Sequence, residues 1–106
     1  MAATIILDAG HGGYDAGASY EGRKEKDDAL RVTLAVGQEL EDKGYNVLYT
    51  RTTDRYDSPI EKARIANRSG ADYFISFHRN CNFYLLTLFL YAQRYNNVGL
   101  RSEIPL

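Results

Sequence analysis

Ala3-Thr-Ile-Ile-Leu-Asp8 runs without a break into Ala9-Gly-His-Gly-Gly-Tyr-Asp-Ala-Gly-Ala18. The first six residues are a short, nearly continuous apolar run, which predicts a strand buried on both faces. The glycine-rich stretch, continuing through Gly22, predicts a loop that leaves the carboxyl end of that strand. From about Glu25 to Lys43 the pattern turns helical. Ala29, Val32, Val36 and Leu40 recur at spacings of three and four, Asp27 and Asp28 sit at the front, and Gly44 is the stop.

The same alternation continues down the chain. Tyr45-Asn-Val-Leu-Tyr-Thr50 reads as a second strand. Ser58-Pro59-Ile60-Glu61 is a capping box with proline at the first helical position, opening a helix through Ala63, Ile65 and Ala66 that ends by Gly70. Asp72-Tyr-Phe-Ile-Ser-Phe77 is a third strand, with His78-Arg-Asn80 directly after it. The order βαβαβ predicts an α/β fold: a small, mostly parallel sheet with right-handed crossovers, flanked by helices. Beyond Cys81 the character changes. Residues 83–106 hold only Arg94, Arg101 and Glu103 as charges, and Phe83–Tyr91 has neither helical nor alternating periodicity. That run reads equally as a fourth buried strand, a short helix or a segment with no regular structure.

The chain has 106 residues, which predicts a single domain over 1–106. A hydrophobic fraction of 44%, a charged fraction of 25% and a mean hydropathy of −0.43 are those of a soluble globular protein, so disorder, collagen and coiled coil are excluded. A net charge of −1 offers no electrostatic footprint for a nucleic acid. The single cysteine, Cys81, closes no intrachain disulfide, and no CxxC pair is present for zinc. Met1-Ala2-Ala3 leads straight into the first strand without a basic segment or cleavage site, which reads as no signal peptide. The longest uncharged apolar stretch, Phe83–Ala92, is about half of the roughly 20 residues a membrane span needs.

Open parallel sheets bind ligands outside the carboxyl ends of their strands. His11 lies just past the first strand, His78 just past the third, and Glu25 opens the helix that starts from the same rim. Two imidazoles and a carboxylate are the donor set of a catalytic zinc site with its fourth position left for water. A plainer reading stands beside it. The chain's only two histidines fall near one edge by chance, and Glu25 is a first-turn acid favoured by the helix dipole. A phosphate-cradling reading of the glycine loop fails. Gly10-His11-Gly12 needs a third glycine where Asp15 stands, and no Gly-Lys-Ser/Thr element follows.

Ile5–Ala18 resembles the opening motif of the zinc-dependent N-acetylmuramoyl-L-alanine amidases, the amidase-3 family. Further blocks agree in order and spacing: Glu25-Lys26-Asp27, Thr50-Arg51 with Asp54, and Ala66-Asn67 leading to Ala71–Asn80. The likeness covers residues 4 to 80. It implies that His11, Glu25 and His78 bind Zn²⁺. It also implies hydrolysis of the amide between N-acetylmuramic acid and the L-alanine of the peptidoglycan stem peptide, by a zinc-activated water. Family domains are longer, and a second glutamate in a Glu-x-Gly-Phe-like motif after the last histidine serves as general base. No such motif occurs here, so the catalytic base is unknown. Glu103, the only glutamate after His78, is not assigned that role.

Two expectations follow. The chain is a peptidoglycan amidase, or it is a truncated, catalytically impaired zinc-binding or wall-binding remnant. A deletion, a frameshift or a partial sequence would each account for the tail over 81–106. The resemblance places the activity at the bacterial cell wall, with a phage lysin or an excised domain reconciling that place with the missing export signal. A sheet cut short predicts association of copies through residues 83–91. Among other residues, Arg51, Asp54 and Arg55 read as a salt-linked turn, and Cys81 as a buried, inert thiol. Tyr14, Tyr20 and Tyr56 read as ordinary surface tyrosines, although a glycan groove would use the same residue type.

Overall fold

A computed structural model describes residues 2–78 together with the backbone of 79, 86–92 and 101–102. Strand β1 (Thr4–Ala9) has five of its six residues buried and lies between β4 (Asn46–Tyr49) and β5 (Tyr73–Arg79), parallel to both. Its position explains the unbroken apolar run, because helices cover both faces. Ile5 and Leu7 point to one side, where with Phe77 they meet Val32, Val36 and Leu40 of helix α1 (Glu25–Asp42). Ile6 points to the other side, where with Ala71 and Phe74 it meets Ile65 and Ala66 of helix α2 (Pro59–Ser69). Each large side chain buried here is worth about 1.5–3 kcal/mol.

The helix signals act as read. Ser58 accepts a hydrogen bond from the Glu61 N–H at 3.2 Å, Pro59 takes the first helical position, and Gly70 ends α2 in the left-handed region. The α1 termination at Asp42 is followed by Gly44, also at positive φ.

Two features depart from the sequence reading. The glycine-rich stretch contains a small antiparallel ribbon, β2 (Ser19–Tyr20) with β3 (Arg23–Lys24), turned by Glu21 and Gly22 at positive φ. In addition, β5 runs two residues beyond Phe77, so His78 stands on the strand rather than past it.

The sheet order is β4-β1-β5-β6-β7. Of the three readings open for the apolar tail, a strand is the one realised: β6 (Leu86–Ala92) pairs antiparallel with the whole of β5. The two-residue β7 (Arg101–Ser102) covers only Tyr91 and Ala92 of β6. The sheet is thus parallel over β4, β1 and β5 and antiparallel beyond. Cys81, Glu103 and the first part of 83–91 lie outside the described residues.

Candidate metal centre

The site is built where β1 and β5 end side by side. The Gly10 N–H donates to the Phe77 carbonyl at 2.9 Å, extending the ladder one step past β1. A Cβ on Gly10 would fall 2.6 Å from the His78 ring, so the absence of a side chain lets that imidazole lie across the strand end. His11 then takes a left-handed conformation, φ 64°, tolerated by histidine more than by most residues. Reciprocal backbone bonds between Gly12 and Asp15, 2.8 and 3.0 Å, close the loop and return Asp15 to His11. At Gly17 (φ 68°) a Cβ would meet His11 Cδ2 at 2.6 Å and Glu25 Oε1 at 2.8 Å. Only glycine allows the chain to pass so near both groups.

Helix α1 starts against this loop. The Glu25 and Lys26 N–H groups donate to the Ala18 and Ala16 carbonyls, at 2.8 and 3.0 Å, which satisfies two of the donors a helix N-terminus leaves open. The Glu25 carboxylate is buried, 4% exposed, and turned inward, unlike a solvated first-turn acid. One oxygen, Oε1, accepts the Ala18 N–H at 3.0 Å. The other, Oε2, stands 2.9 Å from His11 Nε2 and 3.3 Å from His78 Nδ1, and those two nitrogens are 3.4 Å apart. Three donor atoms therefore form a nearly equilateral triangle.

The size of that triangle discriminates. Tetrahedral zinc with bonds of about 2.0–2.1 Å requires neighbouring donors about 3.3 Å apart. The observed edges match one face of such a tetrahedron, and the donor set is chemically apt. The structure brings together all three residues expected from the sequence.

The surroundings fix each donor. His11 Nδ1 lies 2.9 Å from Asp15 Oδ2, so a proton held there leaves the Nε2 lone pair facing the triangle. That bond to His11 is also the main reason the Asp15 carboxyl sits below the ordinary carboxylate range. Burial pushes His78 below its ordinary value, favouring the neutral ring that can ligate. Asp15 was not singled out by sequence reading. Its signal was a carboxylate four residues after a histidine within a tight glycine loop.

The expected salt-linked turn is not what forms. Arg51 is buried and donates to the backbone carbonyls of Ala9, Gly10, Lys26 and Thr53 at 2.9–3.1 Å. It thereby ties the end of β1 to the start of α1. Asp54 instead accepts from Lys26 Nζ and the Gly13 N–H, both at 2.7 Å, while Arg55 reaches Asp57 at 3.2 Å. Turn chemistry gave no hint of this, because three of the four carbonyls that capture Arg51, those of Ala9, Gly10 and Lys26, come from residues far away in sequence. Beside the triangle, buried Asp8 accepts from the Thr50 and Ser76 hydroxyls and pairs with Lys62 Nζ at 2.9 Å. The triangle opens on a pocket of about 370 Å³ whose lining includes His11, His78, Lys62 and Tyr56.

Comparison with known proteins places the chain in a family. The amidase-3 family, described as N-acetylmuramoyl-L-alanine amidase, matches residues 5–85. The chain belongs to that family. It is 44% identical over 78 residues to the N-acetylmuramoyl-L-alanine amidase CwlM of Bacillus licheniformis, covering 72% of this chain and 31% of the relative. An endolysin of Bacillus phage SPP1 is 43% identical over 82 residues, with 76% and 30% covered. Among solved structures, the N-acetylmuramoyl-L-alanine amidase of Clostridium difficile 630 superposes with a TM-score of 0.70 at 36% identity, over 74% of this chain and 44% of that one. The catalytic domain of CwlV from Bacillus (Paenibacillus) polymyxa var. colistinus gives 0.71 at 30% identity, over 74% and 45%. The chain spans about a third of the length of the curated relatives it matches.

Proposed function

We propose that the chain supplies the zinc-holding half of a peptidoglycan amidase, acting at the bacterial cell wall on the bond between N-acetylmuramic acid and the L-alanine of the stem peptide. The observation that carries the reading is the triangle of His11 Nε2, Glu25 Oε2 and His78 Nδ1, with edges of 2.9–3.4 Å. A zinc ion held there would supply Lewis acidity, polarising the scissile carbonyl and making water a better nucleophile.

The chain's own residues prepare that chemistry. Asp15 retains the His11 Nδ1 proton and aims Nε2 inward. The Ala18 N–H holds Oε1 of Glu25, and Oε2 faces both imidazoles. Lys62 brings a cation to the pocket wall, partly balanced by Asp8. Residues 1–106 act in this reading as one domain. No helix among the described residues is long and apolar enough to cross a membrane.

Elemental analysis of purified protein, with dye release from labelled peptidoglycan measured on the same sample, tests the proposal. About one zinc per chain, lost in Glu25→Ala, is the expected result. Zinc without dye release would assign hydrolysis to residues outside this chain. No zinc in the wild type would refute the reading. Copies also associate, in our reading, through residues 83–91; β7 covers only Tyr91 and Ala92 of β6. A monomer by light scattering at high concentration refutes that part.

A further inference from the structure

Tyr14 is the most exposed large hydrophobic side chain among the described residues, at 84%, and it stands three positions after His11. It does not stand alone. Its ring lies against that of Tyr56, centroids 4.6 Å apart and planes 34° from each other, and Tyr56 lines the pocket that contains His11 and His78. A platform of two rings therefore extends outward from the triangle. Tyr20 is not part of it and sits on the β2–β3 ribbon.

Core packing does not account for the pair, since Tyr14 is almost wholly in solvent and Tyr56 is 36% exposed. The two loops that carry the rings are nevertheless clamped. Asp54 accepts from the Gly13 N–H and from Lys26, and Lys26 donates in turn to the Gly13 carbonyl at 3.0 Å. Preformed aromatic faces lose little freedom when a flat ligand settles on them.

The charges beside the rings are already engaged: Asp54 with Lys26, Asp57 with Arg55, and Asp15 with His11. What the platform presents is ring face and phenol rather than net charge. That chemistry suits an uncharged sugar better than an acidic peptide. Resting on the amidase reading above, we propose that Tyr14 and Tyr56 form a stacking platform for the pyranose rings of the glycan strand. The strand lies across the tyrosines, beside the pocket that holds His11 and His78.

Co-sedimentation of the zinc-loaded chain with glycan strands stripped of peptide, and titration with a free stem pentapeptide, test this directly. Tyr14→Ala and Tyr56→Ala should each weaken strand binding about threefold to tenfold, the range that loss of one aromatic contact gives. Tyr14→Phe should keep most of it, and pentapeptide binding should not change. Strand binding at wild-type strength in both alanine variants would overturn the proposal. So would a wild-type chain that binds the pentapeptide and ignores the strands. Zinc content measured on every variant separates the two readings. Strand binding that depends on Tyr14 in a chain holding no zinc would refute the metal assignment and keep the platform. A full zinc complement with no effect of either tyrosine would do the reverse.

Discussion

Replacing Asp15 with alanine isolates the part of the metal centre that lies behind the ligands. The substitution removes the 2.9 Å contact to His11 Nδ1 and the 3.2 Å bond from the Gly17 N–H, while leaving all three donor atoms in the chain. Hydrogen bonds that involve a charged group are worth about 1.5–3 kcal/mol. The Asp15 side chain is 39% exposed, so solvent screening moves the figure to the low end of that range. Partners of metal-bound histidines generally carry about 10- to 100-fold in affinity. Together these give a loss of about tenfold in zinc affinity, or about 1.4 kcal/mol. Asp15→Asn keeps an acceptor without the charge and should lose less. Competition against a chromophoric chelator near neutral pH reads both values, with circular dichroism of the metal-free variants confirming an unchanged fold. An alanine variant that binds zinc as tightly as the wild type would refute the claim that Asp15 sets the orientation of His11.

Two further outcomes follow from the loop clamps. Arg51→Met removes the donor to the buried Gly10 carbonyl and leaves Ala9 only its bond from Lys62 Nζ at 3.3 Å, so urea unfolding should show a loss of about 1–3 kcal/mol. Full recovery in Arg51→Lys would contradict the need for a planar, forked donor. Asp54 has its pKa held below 3.8, chiefly by Lys26 and then by the Gly13 N–H. A carboxyl depressed in the folded state stabilises above its unfolded pKa and loses that contribution as pH falls through the folded value. The melting temperature of Asp54→Ala should therefore trail the wild type at pH 7, with the gap closing below about pH 3.8. A gap independent of pH would show that the Asp54 charge is not what clamps the loops.

Local signals carried most of the fold. The unbroken apolar run at Thr4–Ala9, the Ser58–Pro59 cap and the glycines at 44 and 70 each act within a few residues, and the structure places the elements within two residues of the bounds they suggested. The triangle was legible for a different reason. Strand ends in a parallel sheet share one rim, so His11 and His78 must approach once the topology is known. What stayed hidden depends on partners remote in sequence. Arg51 gave no local sign that it would bind carbonyls about 40 residues earlier. Asp8 lies inside an apolar run, and its partners Thr50, Lys62 and Ser76 come from three other segments. The pairing of Tyr14 with Tyr56 likewise needs two loops 42 positions apart to meet.

The two imidazoles that meet at 3.4 Å are separated by 67 positions along the chain. With zinc held as proposed, the ion is also a clip that closes most of the described polypeptide into a ring. At free zinc a thousand times the dissociation constant, such binding adds about 4.1 kcal/mol to folding. For a domain of total stability about 5–15 kcal/mol, that is a large share. Metal supply would then govern how long the protein survives as well as whether it works. In zinc-starved cells the chain would open more often and fall to proteases sooner, so its abundance would follow the metal even where its synthesis did not.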